Sequence, residues 1–372
     1  MARVLYFSRD YTPHDHRFLS ALAATNHQVY YLRLERGARQ LEDRPLPEGV
    51  TYVPWAGGLK PFTWAAMPAL LRDFQRVLGE IKPDLIHAGP VQTAAFLAAL
   101  SGFHPLVVMS WGSDLLRDAF RNRWWRWITT FTLRRATVLV GDCRAVQDMA
   151  ISFGMPAERI VLFPWGVDLR HFSPGEDDGL RERRGWQDAF VLLSLRSWEP
   201  IYGVDVVVRA FAEVAHDLPE VRLFLLGGGS QAPLIQRLLY ENDLLDRVYL
   251  GGQVGYQRLP SFYRAADLYL SASHSDGSSV SLMEALACGL PAVVSDIPGN
   301  REWVVPGVHG WLFPDGDAHA LADRIREAYA RRDALVEMRR QARYLAEERA
   351  NWEKNFARLL QAYDLAWQIA AR

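Results

Sequence analysis

Residues 275–297 read SDGSSVSLMEALACGLPAVVSDI. An acidic residue leads a run of small polar ones, a helical pattern carries Glu284 eight positions later, and GLP turns into the apolar run AVV. The stretch reads as loop, helix, tight turn and buried strand. Two readings of its middle compete. In one, Ser281 and Glu284 fit an S-x-x-E capping box, Glu284 only ties down its own helix start, and Asp276-Gly277 is turn chemistry. In the other, GSSVS leaves backbone N–H groups uncovered at a helix N-terminus, an anion site suited to a diphosphate, with the two carboxylates contacting hydroxyls on either side.

The strand-bearing pattern recurs along the chain. RVLYF, QVYYL, DLIH, LVVM, TVLV and RIVLF in the first half, and FVLLSL, VRLFLLG, RVYLGG, DLYLSA and PAVVS in the second, are apolar runs separated mostly by amphipathic stretches. Continuous rather than alternating apolar runs predict parallel strands covered on both faces, hence two doubly wound, Rossmann-like α/β domains. FPWGVDLRHFSPGEDDG (163–179), rich in Pro, Gly and charge, marks the boundary, with a first domain over 1–168 and a second over 169–351. Ligands of open α/β sheets bind beyond the carboxyl ends of the strands, so two such domains facing each other make a cleft, and the residues just after strands are the candidates.

A chain of 372 residues with 49% hydrophobic content supports two cores. The net charge of −1 gives no general electrostatic case for nucleic acid. Cys143 and Cys288 lie far apart, lack metal-ligand spacing and sit in patterns that predict burial, which fits a reducing compartment. The N-terminal MARVLYFSRDYTPHD turns polar too soon for a signal peptide, and no apolar run reaches the ~18 residues of a membrane span, so a cytoplasmic protein is expected. Lysine occurs only at 60, 82 and 354. An anion bound between 83 and 353 must therefore be gripped by arginine or by backbone amides.

Several strand ends carry chemistry. Arg196 follows FVLLSL, where a guanidinium either stabilises phosphate charge or joins an ordinary ion pair. LFLLGGGSQAP (223–233) is neither a dinucleotide fingerprint nor a P-loop and reads first as a tight turn. VVMSWGSDLL sets Trp111, Gly112, Ser113 and Asp114 after a strand, with Asp114 either capping the next helix or facing ligand. His87 ends another strand, and RDYTPHDHRFL clusters His14, Asp15, His16 and Arg17 after the first; with no third ligand at workable spacing, no metal site is expected. Between 117 and 135 lie six arginines and one aspartate, interleaved with Trp124, Trp125 and Trp127. Such a segment over 115–135 either makes peripheral contact with an anionic membrane or is a domain helix with its tryptophans packed inward.

Together these pieces resemble the glycosyltransferases of family 4, retaining enzymes of the GT-B fold. SDGSSVSLMEALACGLPAVVSDIPGNREWV (275–304) is similar to that family's motif of an acid, seven residues and a Glu followed by A-x-A-x-G-x-P. GVD with Phe172 is similar to its linker signature, WGSDLL to H-G-[ST]-D, GNREWV with Glu302 to a later turn, and NWEKNFARLLQAYDLAWQ to its final helix. The resemblance implies that this last helix, about 352–372, returns to the first domain. It implies Arg196 neutralising the leaving diphosphate and Asp276 contacting the transferred sugar. It further implies a diphosphate cradle at the amides around Ser279, Val280 and Ser281, with Gly277, Ser278 and Tyr202 also on the donor side, and Glu284 on the nucleotide ribose.

The implied activity is metal-independent transfer of a sugar, without a cofactor, from a UDP- or GDP-linked donor to a carbohydrate, lipid-linked or small-molecule acceptor. The acceptor is expected against the first domain near His14, His16, Arg17, His87 and Trp111–Asp114, and a protein on the inner membrane face if 115–135 docks there. The sequence departs from the pattern at Asp276, where Glu is usual; at Tyr202, where Lys is common; at Trp111, in place of His; and at TPHDHR, in place of a glycine pair. Arg264 is the candidate to stand in for the missing lysine. A non-catalytic sugar-nucleotide-binding or scaffold protein, or a sugar-nucleotide epimerase of the same fold, are the competing readings.

Overall fold

A computed structural model describes residues 1–36, 42 and 44–372. The chain divides into two units, Met1–Phe163 with Phe356–Arg372, and Pro164–Asn355. The first unit carries β1 (Arg3–Ser8), β2 (Gln28–Arg33), β3 (Val50–Tyr52), β4 (Leu85–Gly89), β5 (Leu106–Met109), β6 (Val138–Gly141) and β7 (Ile160–Leu162). The second carries β8 (Phe190–Ser194), β9 (Val221–Leu226), β10 (Val248–Gly252), β11 (Leu268–Ser271), β12 (Ala292–Ser295) and β13 (Gly310–Phe313).

Among the described residues the first sheet is ordered β3-β2-β1-β4-β5-β6-β7 and the second β10-β9-β8-β11-β12-β13. Among the described residues every strand pairing within the two sheets is parallel, for example Val4↔Leu85 and Leu268↔Leu192. Strands β4, β5, β6, β8, β11 and β12 are buried along their whole length, which is why their apolar runs do not alternate. The strand order reverses between β1 and β4 and between β8 and β11. At such a switch point the two connections leave to opposite sides and open a crevice beyond the strand ends.

Two edge strands escaped the sequence reading. Val50–Tyr52 exposes Thr51 and Tyr52, and Gly310–Phe313 is four residues long, so neither shows a long apolar run. The last helix, Trp352–Ala370, belongs with the first unit from Phe356 on. It buries Leu359, Ala362, Tyr363 and Ala366, spaced as one helical face, and Tyr363 Oη lies 2.7 Å from His87 Nδ1. The segment 115–135 ends in a helix over Arg123–Arg135 that buries Ile128, Thr129, Thr132 and Leu133. Two of its three tryptophans do not pack inward as the domain-helix reading expects: Trp124 is 51% and Trp127 47% exposed, while Trp125 is half-buried.

Candidate active site

Arg196 leaves β8 and the 272–279 loop leaves β11, and these strands are neighbours at the reversal of strand order. That adjacency brings together residues eighty positions apart. Arg196 Nη2 donates to Asp276 Oδ2 at 2.6 Å, and Nη1 donates to Ser279 Oγ and Ser281 Oγ, each at 3.0 Å. The Tyr202 ring lies under the guanidinium, 4.2 Å from centroid to Cζ. Burial works against the charge on Arg196, but Asp276 and the tyrosines around it outweigh that, and the group is held firmly as a cation. Gly203, at φ 56, lets this turn pass over Ala272, whose carbonyl would stand 2.2 Å from any added Cβ.

The helix Val280–Ala287 begins at Ser279, whose side chain makes no capping hydrogen bond. The capping-box reading of Ser281 and Glu284 is therefore overturned: Ser281 lies inside the first turn and Glu284 in the second. Glu284 Oε2 instead accepts from Tyr263 Oη at 2.7 Å. Burial, reinforced by Glu284, raises the Tyr263 phenol well above its ordinary range, so it stays a donor. Ser281 Oγ also meets Tyr269 Oη at 2.7 Å, and the Trp303 indole donates to Ser278 Oγ at 3.1 Å. The first N–H groups of a helix have no acceptor within it, so those at Val280 and Ser281 open beside the Arg196 guanidinium. Gly299 packs on the same loop, and a Cβ there would come within 2.3 Å of the Gly277 carbonyl.

Arg264 does not join this group. Its Nε donates to the Ser173 carbonyl at 2.8 Å and it lines a cavity with Cys288, which caps the opposite end of the Val280–Ala287 helix. Eight helical residues span ~12 Å, so Arg264 cannot replace the missing lysine beside Arg196. Two of the three glycines at 227–229 serve close packing: an added Cβ at Gly227 would meet Arg196 O at 2.7 Å, and one at Gly229 would meet Trp198 O at 2.6 Å.

In the first unit the sequence candidates separate. His14 lies on the helix Pro13–Ala23 with its ring centroid 5.5 Å from Trp111, so these two and Arg17 on the same helix form one group. His16 Nδ1 lies 2.8 Å from Tyr11 Oη, and burial lowers its imidazole. Asp15 closes a capping box with Thr12 and accepts from Tyr6 Oη at 2.9 Å; burial pushes its carboxyl up to about 6. His87 is 1% exposed and shut in among Tyr6, Phe18 and Tyr363, so it packs the last helix and is out of reach of an acceptor. Burial takes its imidazole down to about 3.

Asp114 neither caps alone nor faces ligand. It accepts from Ser110 Oγ (2.6 Å) and from the amides of Trp111 and Leu115 (3.0 Å each) and Val91 (3.0 Å), tying two strand-end loops together. Gly112, at φ 84, allows the turn that makes this possible, and Ser113 starts the short helix that follows. Among the described residues no group of three or more His, Cys, Asp and Glu is placed to hold a metal ion.

Sequence reasoning missed Tyr263, Tyr269, Trp303 and Gly299. The two tyrosines sit in FYRAADLYLS, where they read as ordinary core aromatics; their only signal was a hydroxyl in a segment otherwise destined for burial.

Residues 177–349 match the family model described as Glycosyl transferases group 1, and residues 14–171 match Glycosyltransferase Family 4. The D-inositol 3-phosphate glycosyltransferase of Xylanimonas cellulosilytica is 32% identical over 58% of this chain and 54% of its own length. The chain thus spans about half the length of that curated relative and, at 49%, of the like-named protein of Geodermatophilus obscurus. A GDP-mannose-dependent alpha-(1-6)-phosphatidylinositol monomannoside mannosyltransferase of Mycolicibacterium smegmatis is 23% identical over 92% of this chain and 91% of its own. Among solved structures, sucrose-phosphate synthase of Thermosynechococcus elongatus superposes with a TM-score of 0.83 at 20% identity, covering 100% of both chains. Anabaena HepE in complex with UDP and glucose does so at 0.81 and 20% identity, covering 98% of this chain and 100% of its own. These last two share the fold, the two-domain α/β GT-B class. With both halves matched by its models, the chain belongs to the glycosyltransferases of family 4.

Proposed function

We propose that the protein moves a sugar, with retention of anomeric configuration, from a UDP- or GDP-linked donor to a carbohydrate, lipid-linked or small-molecule acceptor. The observation that carries the reading is Arg196 held at the N-terminus of the Val280–Ala287 helix by Ser279 and Ser281. A sugar–phosphate bond breaks as charge accumulates on the departing diphosphate, and a fixed guanidinium with oriented amides stabilises that charge without reorganising. In this reading no cofactor is needed. Glu284, oriented by Tyr263, accepts from the ribose hydroxyls, and Asp276 from the sugar. His14, Arg17 and Trp111 are the acceptor-side group. A peripheral contact of residues 115–135 with anionic membrane is part of the same reading, favoured by the exposure of Trp124 and Trp127.

Two departures support a non-catalytic, nucleotide-binding alternative: Tyr202 in place of a second cation, and Trp111 in place of histidine. A thermal-shift panel with UDP, GDP, ADP and dTDP on wild type and Glu284→Ala, followed by a donor and acceptor screen, separates the readings. A selective shift lost in Glu284→Ala, with a product whose anomeric configuration matches the donor, is expected. A shift without any turnover leaves the scaffold reading, and no shift at all removes both.

A further inference from the structure

The exposed tryptophans of the Arg123–Arg135 helix do not stand alone. Trp124 and Trp127 stack at 4.9 Å between centroids and 16° between planes, and Trp127 stacks on Phe131 at 5.4 Å. A second segment, distant in sequence, completes the row. Trp64 sets its edge against Trp124 and Trp125, each at 6.2 Å, and Phe62 packs on Trp64 at 5.1 Å. Trp64 is 37% and Leu59 73% exposed, and Lys60 between them is exposed too. Residues 57–66, GGLKPFTWAA, carry no acid, and between 117 and 135 Asp118 stands alone, half-buried, against six arginines.

The cations are arranged around the aromatics. Arg121 lies over Trp125 and Arg135 over Phe131, each at 4.8 Å, so their guanidinium groups brace the rings. Arg123 and Arg134 are exposed and fall within about 40° of Trp127 on the helical wheel, on the stripe opposite the buried Ile128, Thr129, Thr132 and Leu133. A soluble surface gains nothing from a row of half-exposed indoles, whereas indole rings partition into the interface of a bilayer and arginines beside them reach its phosphates.

We infer that these two segments form one membrane-docking face, in which Leu59, Phe62, Trp64, Trp124 and Trp127 enter the headgroup region of an anionic bilayer and Lys60, Arg123 and Arg134 contact its phosphates. The inference rests on the membrane contact proposed above and extends it to a loop outside the helix. The bilayer is favoured over a second copy of the chain because the two segments carry Lys60 and six arginines against Asp118 alone, and a surface with that excess of positive charge repels its own duplicate.

The test is co-sedimentation with vesicles of phosphatidylcholine alone and with roughly one third phosphatidylglycerol. Wild type is expected to bind the anionic vesicles at least about tenfold better, with tryptophan fluorescence quenched by brominated acyl chains. Trp64→Ala and Trp127→Ala should each lower partitioning by about tenfold, while circular dichroism stays native and any nucleotide-induced shift, taken relative to each variant's own melting temperature, stays as in wild type. Because vesicle binding needs no nucleotide, its failure is distinct from failure of the transferase reading. Loss with Trp127→Ala but not with Trp64→Ala overturns the two-segment face. No binding and no quenching in wild type, or wild-type self-association abolished by either substitution, overturns the bilayer as occupant.

Discussion

Asp276→Asn should tighten binding of a free nucleoside diphosphate while removing sugar transfer. Asp276 Oδ2 takes the Arg196 Nη2 donor at 2.6 Å, and the side chains of Arg196 and Asp276 are only 13% and 19% exposed. A diphosphate entering at the helix N-terminus competes with Asp276 for the Arg196 guanidinium. A hydrogen bond to a charged group contributes about 1.5–3 kcal/mol. The carboxylate therefore opposes anion binding by roughly that amount, and the uncharged amide opposes it far less. The dissociation constant of UDP or GDP, whichever binds, should fall about 10- to 100-fold in Asp276→Asn. Unliganded, the variant should be less stable by about 1–3 kcal/mol, because a nearly buried guanidinium has lost its counter-charge. Isothermal titration calorimetry reads the first effect and chemical denaturation the second. An unchanged or weaker dissociation constant in the variant would falsify the competition: Asp276 and the phosphate would then occupy different donors of Arg196.

Tyr263→Phe removes the donor to buried Glu284 Oε2, and should cost about 1–3 kcal/mol of stability and weaken the nucleotide-induced thermal shift; an unchanged shift would show that Glu284 needs no orienting. Gly299→Ala drives a Cβ to within 2.3 Å of Gly277 O and 2.6 Å of Asp276 O, so the 276–279 loop must move. Nucleotide binding should fall sharply while circular dichroism stays native, and wild-type affinity in the variant would refute the close packing. His87, with its imidazole taken down to about 3 from 6.5 by burial, stays neutral when folded and takes up a proton when unfolded. Its contribution is whole above pH 6.5 and is lost as pH falls. Between that value and about pH 5 wild type should lose roughly 2 kcal/mol more than His87→Gln. Asp15 and Asp114, both raised to about 6, pull the other way, losing their contribution as pH rises towards that value, but they are common to both proteins and cancel in the difference. Equal pH profiles in urea denaturation would remove His87 as the cause.

The two sheets were legible because burial on both faces writes itself into sequence as unbroken apolar runs, as in LVVM and FVLLSL. Edge strands Val50–Tyr52 and Gly310–Phe313 were not, since a short edge is defined by its neighbour rather than by its own composition. Arg196, Asp276 and Glu284 were legible as candidates from their places after strands and in the helix that follows, while their roles were implied only by the family resemblance. Their partners were not legible. Arg264 stood as close to the site in sequence as Tyr263 does, yet one helix turns Tyr263 to Glu284 and Arg264 to Ser173. His87 and Asp114 carried the right chemistry at strand ends and were drawn into packing and loop closure instead.

By itself the sequence determined the fold class and that a helix follows the 275–279 loop, since both depend on local periodicity and residue type. Only the tertiary structure decided that Arg196 meets Asp276 rather than solvent, that Glu284 is held by Tyr263, and that Trp64 joins the tryptophans sixty residues on. Each of those contacts exists because the order of strands in the sheet, or the packing of one segment on another, brings distant residues together, and neither is written in the spacing of residues along the chain.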